Sequence, residues 1–145
     1  TRPSIILANA PYDRHPDHGR GAELVDRACF ISGLAKVEIK DDGGSVLERW
    51  RPKIVLNFIQ DRHIPPDIVV DIKDYYRHKM EVISAYSSQF FMNKDRIATP
   101  ISGEDFWHFL EARSREMGRA GGVEMAEGFV CKTVPVVDDL FHLIH

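Results

Sequence analysis

Cysteine is scarce: the 145 residues contain two, Cys29 and Cys131. They lie far apart, each among apolar neighbours, the setting of buried free thiols and not of a disulfide or metal clip. That usage fits a reducing compartment, so a cytoplasmic location is expected. No CxxC and no HExxH occurs, which removes the commonest short zinc signatures. No apolar run approaches the ~18 residues needed to span a bilayer, and no charged-then-apolar leader opens the chain. Neither a membrane partner nor secretion is therefore expected. Positive charge is also lacking: 19 Lys and Arg stand against 22 Asp and Glu, a formal net charge of −3. Non-specific electrostatic binding to nucleic acid has no basis in such a balance. There is no internal repeat and no low-complexity tract.

What is present is an ordinary globular composition, 43% hydrophobic and 28% charged, at a length that suits one domain spanning residues 1–145. "SIILANA" (Ser4–Ala10) is a short apolar run ending in a turn signal, read as a buried strand. A helix is predicted from Pro16 or Asp17 to Ser32, with Ala22, Leu24, Val25, Ala28, Cys29 and Ile31 at helical spacing and Gly33 as its cap. "KDDGGSV" (Lys40–Val46) reads as a turn and "KIVLNFI" (Lys53–Ile59) as a second buried strand. The paired prolines of "DRHIPP" (Asp61–Pro66) make a loop, because they block helix and ladder alike. "DIVVDI" (Asp67–Ile72) reads as a short strand or extended lead-in.

A long helix is predicted from Lys73 to about Phe90, then a linker "NKDRIATPIS", then a helix from Glu104 to about Met117, stopped by "GRAGG". "GFVCKTVPVV" is a terminal strand candidate and "DDLFHLI" a last helical turn or two. This alternation predicts an α/β protein, a Rossmann-like three-layer α/β/α arrangement with a mainly parallel sheet.

In open α/β sheets ligands bind beyond the carboxyl ends of strands, where loops run into helices. "NAPYDRHPDHGR" (Asn9–Arg20) lies at such a place. Pro16 suits the first helical position, which makes His15 the candidate N-cap and puts His18 three residues on, above it on the same side. Two imidazoles can then face one cleft. Unpaired N–H groups and the helix dipole favour neutral imidazole, the metal-binding form, whereas Asp17 can stabilise an imidazolium. Spacing alone leaves two readings open, a structural cap and a metal or proton-handling site. A catalytic zinc takes three protein ligands, and His63, His78, His108, His142 and His145 show no matching motif. Arg62 and His63 sit on a strand-end loop, and "GRAGGVE" follows a helix, the wrong place for a phosphate cradle.

Four segments in order, "LANAPYDRHPDHGRGAELVDRACFISGL", "RPKIVLNFIQDRHIPPDIVVDI", "KMEVISAYSSQF" and "GVEMAEGFV", resemble the LmbE/PIG-L family of zinc-dependent N-deacetylases. The similarity is greatest to the bacillithiol-pathway branch, the N-acetylglucosaminyl-malate deacetylases. The resemblance implies zinc as cofactor and a small-molecule N-acetylglucosaminyl conjugate as substrate. It implies His18 as a zinc ligand, His15 as the group stabilising the oxyanion and assisting the leaving amine, and Asp17 as the carboxylate that orients His15. Arg14 would face the substrate pocket; Arg62, with Gln60 and Asp61, is a looser substrate-side match, and Phe106 stands where relatives carry a pocket tyrosine. Oligomers are common among the relatives, so a homo-oligomer is a further expectation.

The family's first motif, His-Pro-Asp-Asp, which supplies the other zinc ligands and the general base, has no counterpart, since "HPD" occurs only at His15–Asp17. The resemblance thus implies the C-terminal part of such an enzyme, with N-terminal strands missing and Ile5–Leu7 at an open sheet edge. Another N-acetylated amino sugar as substrate, or a non-catalytic sugar-conjugate-binding module, are the alternatives.

Overall fold

The computed structural model describes residues 1–90 and 98–144. The chain divides into two compact units, residues 1–68 with 129–145, and residues 69–128. Four strands form one sheet in the order β1-β2-β4-β3: β1 Ile5–Ala8, β2 Ile54–Phe58, β3 Ile68–Asp71 and β4 Ala126–Cys131. The α/β class and the first three strands follow the apolar runs of the sequence, whereas β4 departs from the predicted "GFVCKTVPVV": it starts at Ala126 and ends at Cys131, and Val134 and Val136 beyond it are exposed.

In the first unit β1 and β2 are parallel, with Ile5 opposite Ile54 and Ala8 opposite Asn57. β4 enters antiparallel to β2, Leu56 facing Cys131 and Phe58 facing Phe129. The rings of Phe58 and Phe129 pack at 5.8 Å between centroids. β1 is an edge strand, and its alternation shows it: Ala8 is buried while Ile5 and Leu7 stay 57% and 54% exposed. The expected buried strand is thus covered along only part of its length, and among the described residues no strand pairs with its outer edge.

Helix α1 runs Pro16–Ser32, as the proline and the cap residues predict. Gly33 closes it in a right-handed conformation, φ −91°, donating its N–H to Phe30 O and Ile31 O; this position does not use glycine's left-handed freedom. The predicted apolar stripe is only partly buried. Ala22 is inside and Val25 and Cys29 are half-covered, but Leu24 and Ile31 face out. The "KDDGGSV" turn is built by Asp41, whose Oδ1 accepts from Gly43 N and Ser45 N at 3.0 and 2.8 Å, under a Lys40–Val46 bridge.

The second unit corrects two helix boundaries. The segment from Lys73 is not one helix: a 3-10 turn Lys73–Tyr75 leads into α2 Tyr76–Ser84, a break at Ala85–Tyr86 follows, and α3 covers Ser87–Phe90. The β-branched and aromatic residues of this stretch do not sustain a longer run. Residues 93–97 of the predicted linker lie outside the described residues. α4 extends Glu104–Gly121, past the predicted stop near Met117, and ends at Gly122 in the left-handed region, φ 77°. Two of the "GRAGG" glycines continue the helix because close packing requires them bare: a Cβ on Gly118 would lie 2.8 Å from Glu124 C and O and Met125 N. Phe106 lies on α4, stacked on Phe90 at 5.2 Å, and serves an aromatic cluster with Trp107. Among the described residues no helix is long and apolar enough to cross a membrane.

Candidate functional site

The strand β1 ends at Ala8, and residues 9–15 cross from its carboxyl end to the start of α1. This crossing is tied to the loop after β2 by contacts between residues about 50 apart in sequence. Asn57, buried on β2, donates from Nδ2 to Asn9 O at 2.8 Å. Ala10 N donates to Gln60 Oε1 at 3.2 Å, and Arg14 Nε to Asp61 Oδ2 at 2.8 Å.

Asp13 supplies the central tie. Its carboxylate is wholly buried, and Oδ1 accepts the backbone N–H groups of Asp61 and Arg62, each at 3.0 Å. Oδ2 is hydrogen-bonded to His18 Nδ1. Burial opposes the charged form, but the His18 contact and backbone hydrogen bonds from Arg62, Arg14 and Asp61 outweigh it. The Asp13 carboxyl is thereby lowered from an ordinary 3.8 to about 2.

His15 is the N-cap of α1, in extended conformation at φ −83°, ψ 122°, with Pro16 at the first helical position. Its Nδ1 accepts from Asp17 N at 3.2 Å, an imidazole in the role usually given to a Ser or Asp oxygen. A nitrogen that accepts a hydrogen bond carries no proton, so the neutral ring holds its proton on Nε2. The His15 and His18 rings stand 5.2 Å apart between centroids, side by side as cap and third position require.

The predicted residues thus fall into a group and a fringe. His15, His18, Arg14 and Asp17 share the crossing and the first turn of α1. The Asp17 carboxylate lies 3.9 Å from His15 Nδ1 and 3.7 Å from Arg20, both in exposed positions. Arg62 joins the same loop pair: its guanidinium lies over the Tyr12 ring, 4.6 Å from the centroid, and donates to the Tyr12 hydroxyl. His78, on α2, lies in the second unit, 3.8 Å from Glu81. Cys29 and Cys131 are both free thiols, as expected, but half-buried and not buried.

Sequence reasoning missed Asp13 and Tyr12. Asp13 sits inside the quoted motif, five residues before His18, but an aspartate ahead of an N-cap has no local signature for binding the third helical residue. The signal that could have found it is the pairing of loop 9–15 with loop 60–62, since a parallel β1–β2 pair brings both strand ends to one edge.

The donor set falls short of the implied zinc. Among the described residues no group of three or more His, Cys, Asp or Glu side chains is placed to hold a metal ion. Of the motif imidazoles, His18 has its Nδ1 committed to Asp13 and only Nε2 left for another partner. A catalytic zinc takes three protein ligands, so these residues do not by themselves fit one.

No family model matches the chain. The solved structures that share its fold include the following two. The conserved protein TT1542 from Thermus thermophilus matches with a TM-score of 0.77 and 26% identity, over 97% of this chain and 56% of its own. The N,N'-diacetylchitobiose deacetylase from Pyrococcus horikoshii, solved with its inhibitor MPG, matches with a TM-score of 0.66 and 24% identity, over 98% of this chain and 48% of its own. The chain therefore spans about half the length of these solved structures.

Proposed function

We propose that this chain carries the histidine half of an N-deacetylase site that removes acetyl groups from an N-acetylated amino sugar. The observation that carries the reading is the His15–His18 pair at the first turn of α1, 5.2 Å apart, with Asp13 beneath and Arg14 and Arg62 beside it. The fold shared with a diacetylchitobiose deacetylase supports the reaction class.

The roles follow from the hydrogen bonds each residue leaves open. His15, its Nδ1 occupied by Asp17 N, presents Nε2–H to the developing oxyanion of the attacked acetamide. The proton released by the attacking water makes the ring an imidazolium, Nδ1 exchanging the Asp17 N–H for the Asp17 carboxylate 3.9 Å away, and Nε2 then gives its proton to the departing amine. Arg14 uses Nε on Asp61, which leaves its terminal nitrogens to pair with substrate oxygens. Arg62 is held at the same loop pair by Tyr12. The reading includes zinc, with His18 as one ligand through Nε2 and the remaining ligands drawn from residues beyond those gathered here. The finer substrate proposed is an N-acetylglucosaminyl-malate conjugate, whose carboxylates suit two arginines, and a homo-oligomer is the proposed assembly.

The test is acetate release by the full-length protein from N-acetylglucosaminyl-malate and from N,N'-diacetylchitobiose, with and without added zinc. Turnover of the first and a roughly 10²- to 10⁴-fold loss in His15→Ala support the reading. Turnover that His15→Ala leaves unchanged overturns the role of His15. A second reading, a non-catalytic sugar-conjugate-binding module, is favoured by the missing three-ligand metal set among the described residues. Sugar-conjugate binding without acetate release in the zinc-loaded full-length protein would select it.

A further inference from the structure

His15 and His18 sit three residues apart on one turn, yet their Nδ1 atoms face opposite kinds of partner. Nδ1 of His15 faces a donor, the backbone N–H of Asp17. Nδ1 of His18 faces an acceptor, the Asp13 carboxylate. The other oxygen of that carboxylate already accepts two backbone N–H groups, of Asp61 and Arg62, and an ionised carboxylate can only accept.

We propose that Asp13 is a positioning residue that fixes the His18 tautomer, so that the two neighbouring imidazoles carry their protons on opposite nitrogens: His15 on Nε2 and His18 on Nδ1. The outward nitrogens then differ in kind. His15 offers a hydrogen-bond donor and His18 a lone pair, which is the complement of a polarised carbonyl oxygen on one side and an electrophilic centre on the other. Because Asp13 Oδ1 is bonded to Asp61 and Arg62, the orientation of His18 is also tied to the loop after β2 and not to α1 alone. The inference deepens the deacetylase reading, but the tautomers are properties of the metal-free chain and are measured without substrate.

The experiment is long-range ¹H–¹⁵N correlation of the imidazoles in the uniformly ¹⁵N-labelled, metal-free full-length protein, at a pH where both rings are neutral, with Asp13→Asn alongside. The expected parent spectrum has His18 protonated on Nδ1 and His15 on Nε2. In Asp13→Asn the amide oxygen keeps the two backbone N–H groups, while the NH₂ turns a donor toward His18. The His18 proton should move to Nε2, and His15 should not change. A parent spectrum with both rings protonated on Nε2 overturns the proposal without any variant. So does an Asp13→Asn spectrum in which the His18 tautomer stays as in the parent. A purely structural Asp13 would alter stability and leave the tautomer pattern alone.

Discussion

Asn57→Ala removes a single buried amide, and the structure fixes its expected cost. Asn57 is 4% exposed on β2, and its Nδ2 donates to Asn9 O at 2.8 Å. A neutral hydrogen bond contributes about 1 kcal/mol net, and an acceptor left buried without a partner costs roughly a further 1–3 kcal/mol. Water reaching Asn9 O through the space vacated would recover part of the second amount, so the expected loss is about 2 kcal/mol. For a chain of this size roughly 3 °C of melting temperature corresponds to each kcal/mol, which gives a fall of about 6 °C. Urea denaturation followed by circular dichroism reads the change as a lower midpoint with an unaltered slope. Asn57→Asp should be worse, because it sets a carboxylate against the Asn9 carbonyl. An Asn57→Ala midpoint equivalent to less than about 0.5 kcal/mol, or an Asn57→Asp as stable as the parent, would refute the role of this bond.

Gly118→Ala should destabilise by roughly 1–3 kcal/mol despite alanine's better helix propensity, because the new methyl meets backbone atoms of Glu124 and Met125 that cannot turn aside; thermal denaturation reads it. Cys29, half-buried, has its thiol pushed up from an ordinary 9.0 by burial and by the charge of Asp26. A raised thiol pKa leaves less thiolate at every pH below it, so iodoacetamide should label Cys29 more slowly than a free thiol at pH below 9, and equal rates would contradict this. Arg14→Ala in the full-length protein should raise KM for an anionic sugar conjugate more than for a neutral one, and an equal rise for both would remove its assignment to substrate carboxylates.

The features legible in the sequence were those written within one turn or one strand. Pro16 after a capping residue, the 3-4 spacing of α1 and the apolar runs of β1 and β2 each encode their own geometry. Neighbouring His15 and His18 follow from that helix start alone. The extension of α4 to Gly121 was not legible, because it depends on packing: Gly118 and Gly121 are helical where a bare backbone is needed, close to Glu124 and to Val69. Sequence spacing read those glycines as a stop.

The candidate site divides along the same line, and this bears on what holds it in shape. Its local half is the capped turn of α1. Its long-range half is the set of bonds from Asn9, Ala10, Asp13 and Arg14 to Asn57, Gln60, Asp61 and Arg62, each joining residues 47 to 50 apart. A helix N-terminus by itself frays and lets capping side chains choose among partners. Here the chain before the cap is fastened at four consecutive or near-consecutive residues to a second strand end, so the imidazoles are placed by the sheet as much as by the helix. Loss of one tie leaves three, which predicts graded loosening and not collapse for Asn57 or Arg14. Asp13 differs because the same carboxylate fastens the loop and sets the ring, so its replacement is the one change that separates where His18 stands from which nitrogen it presents.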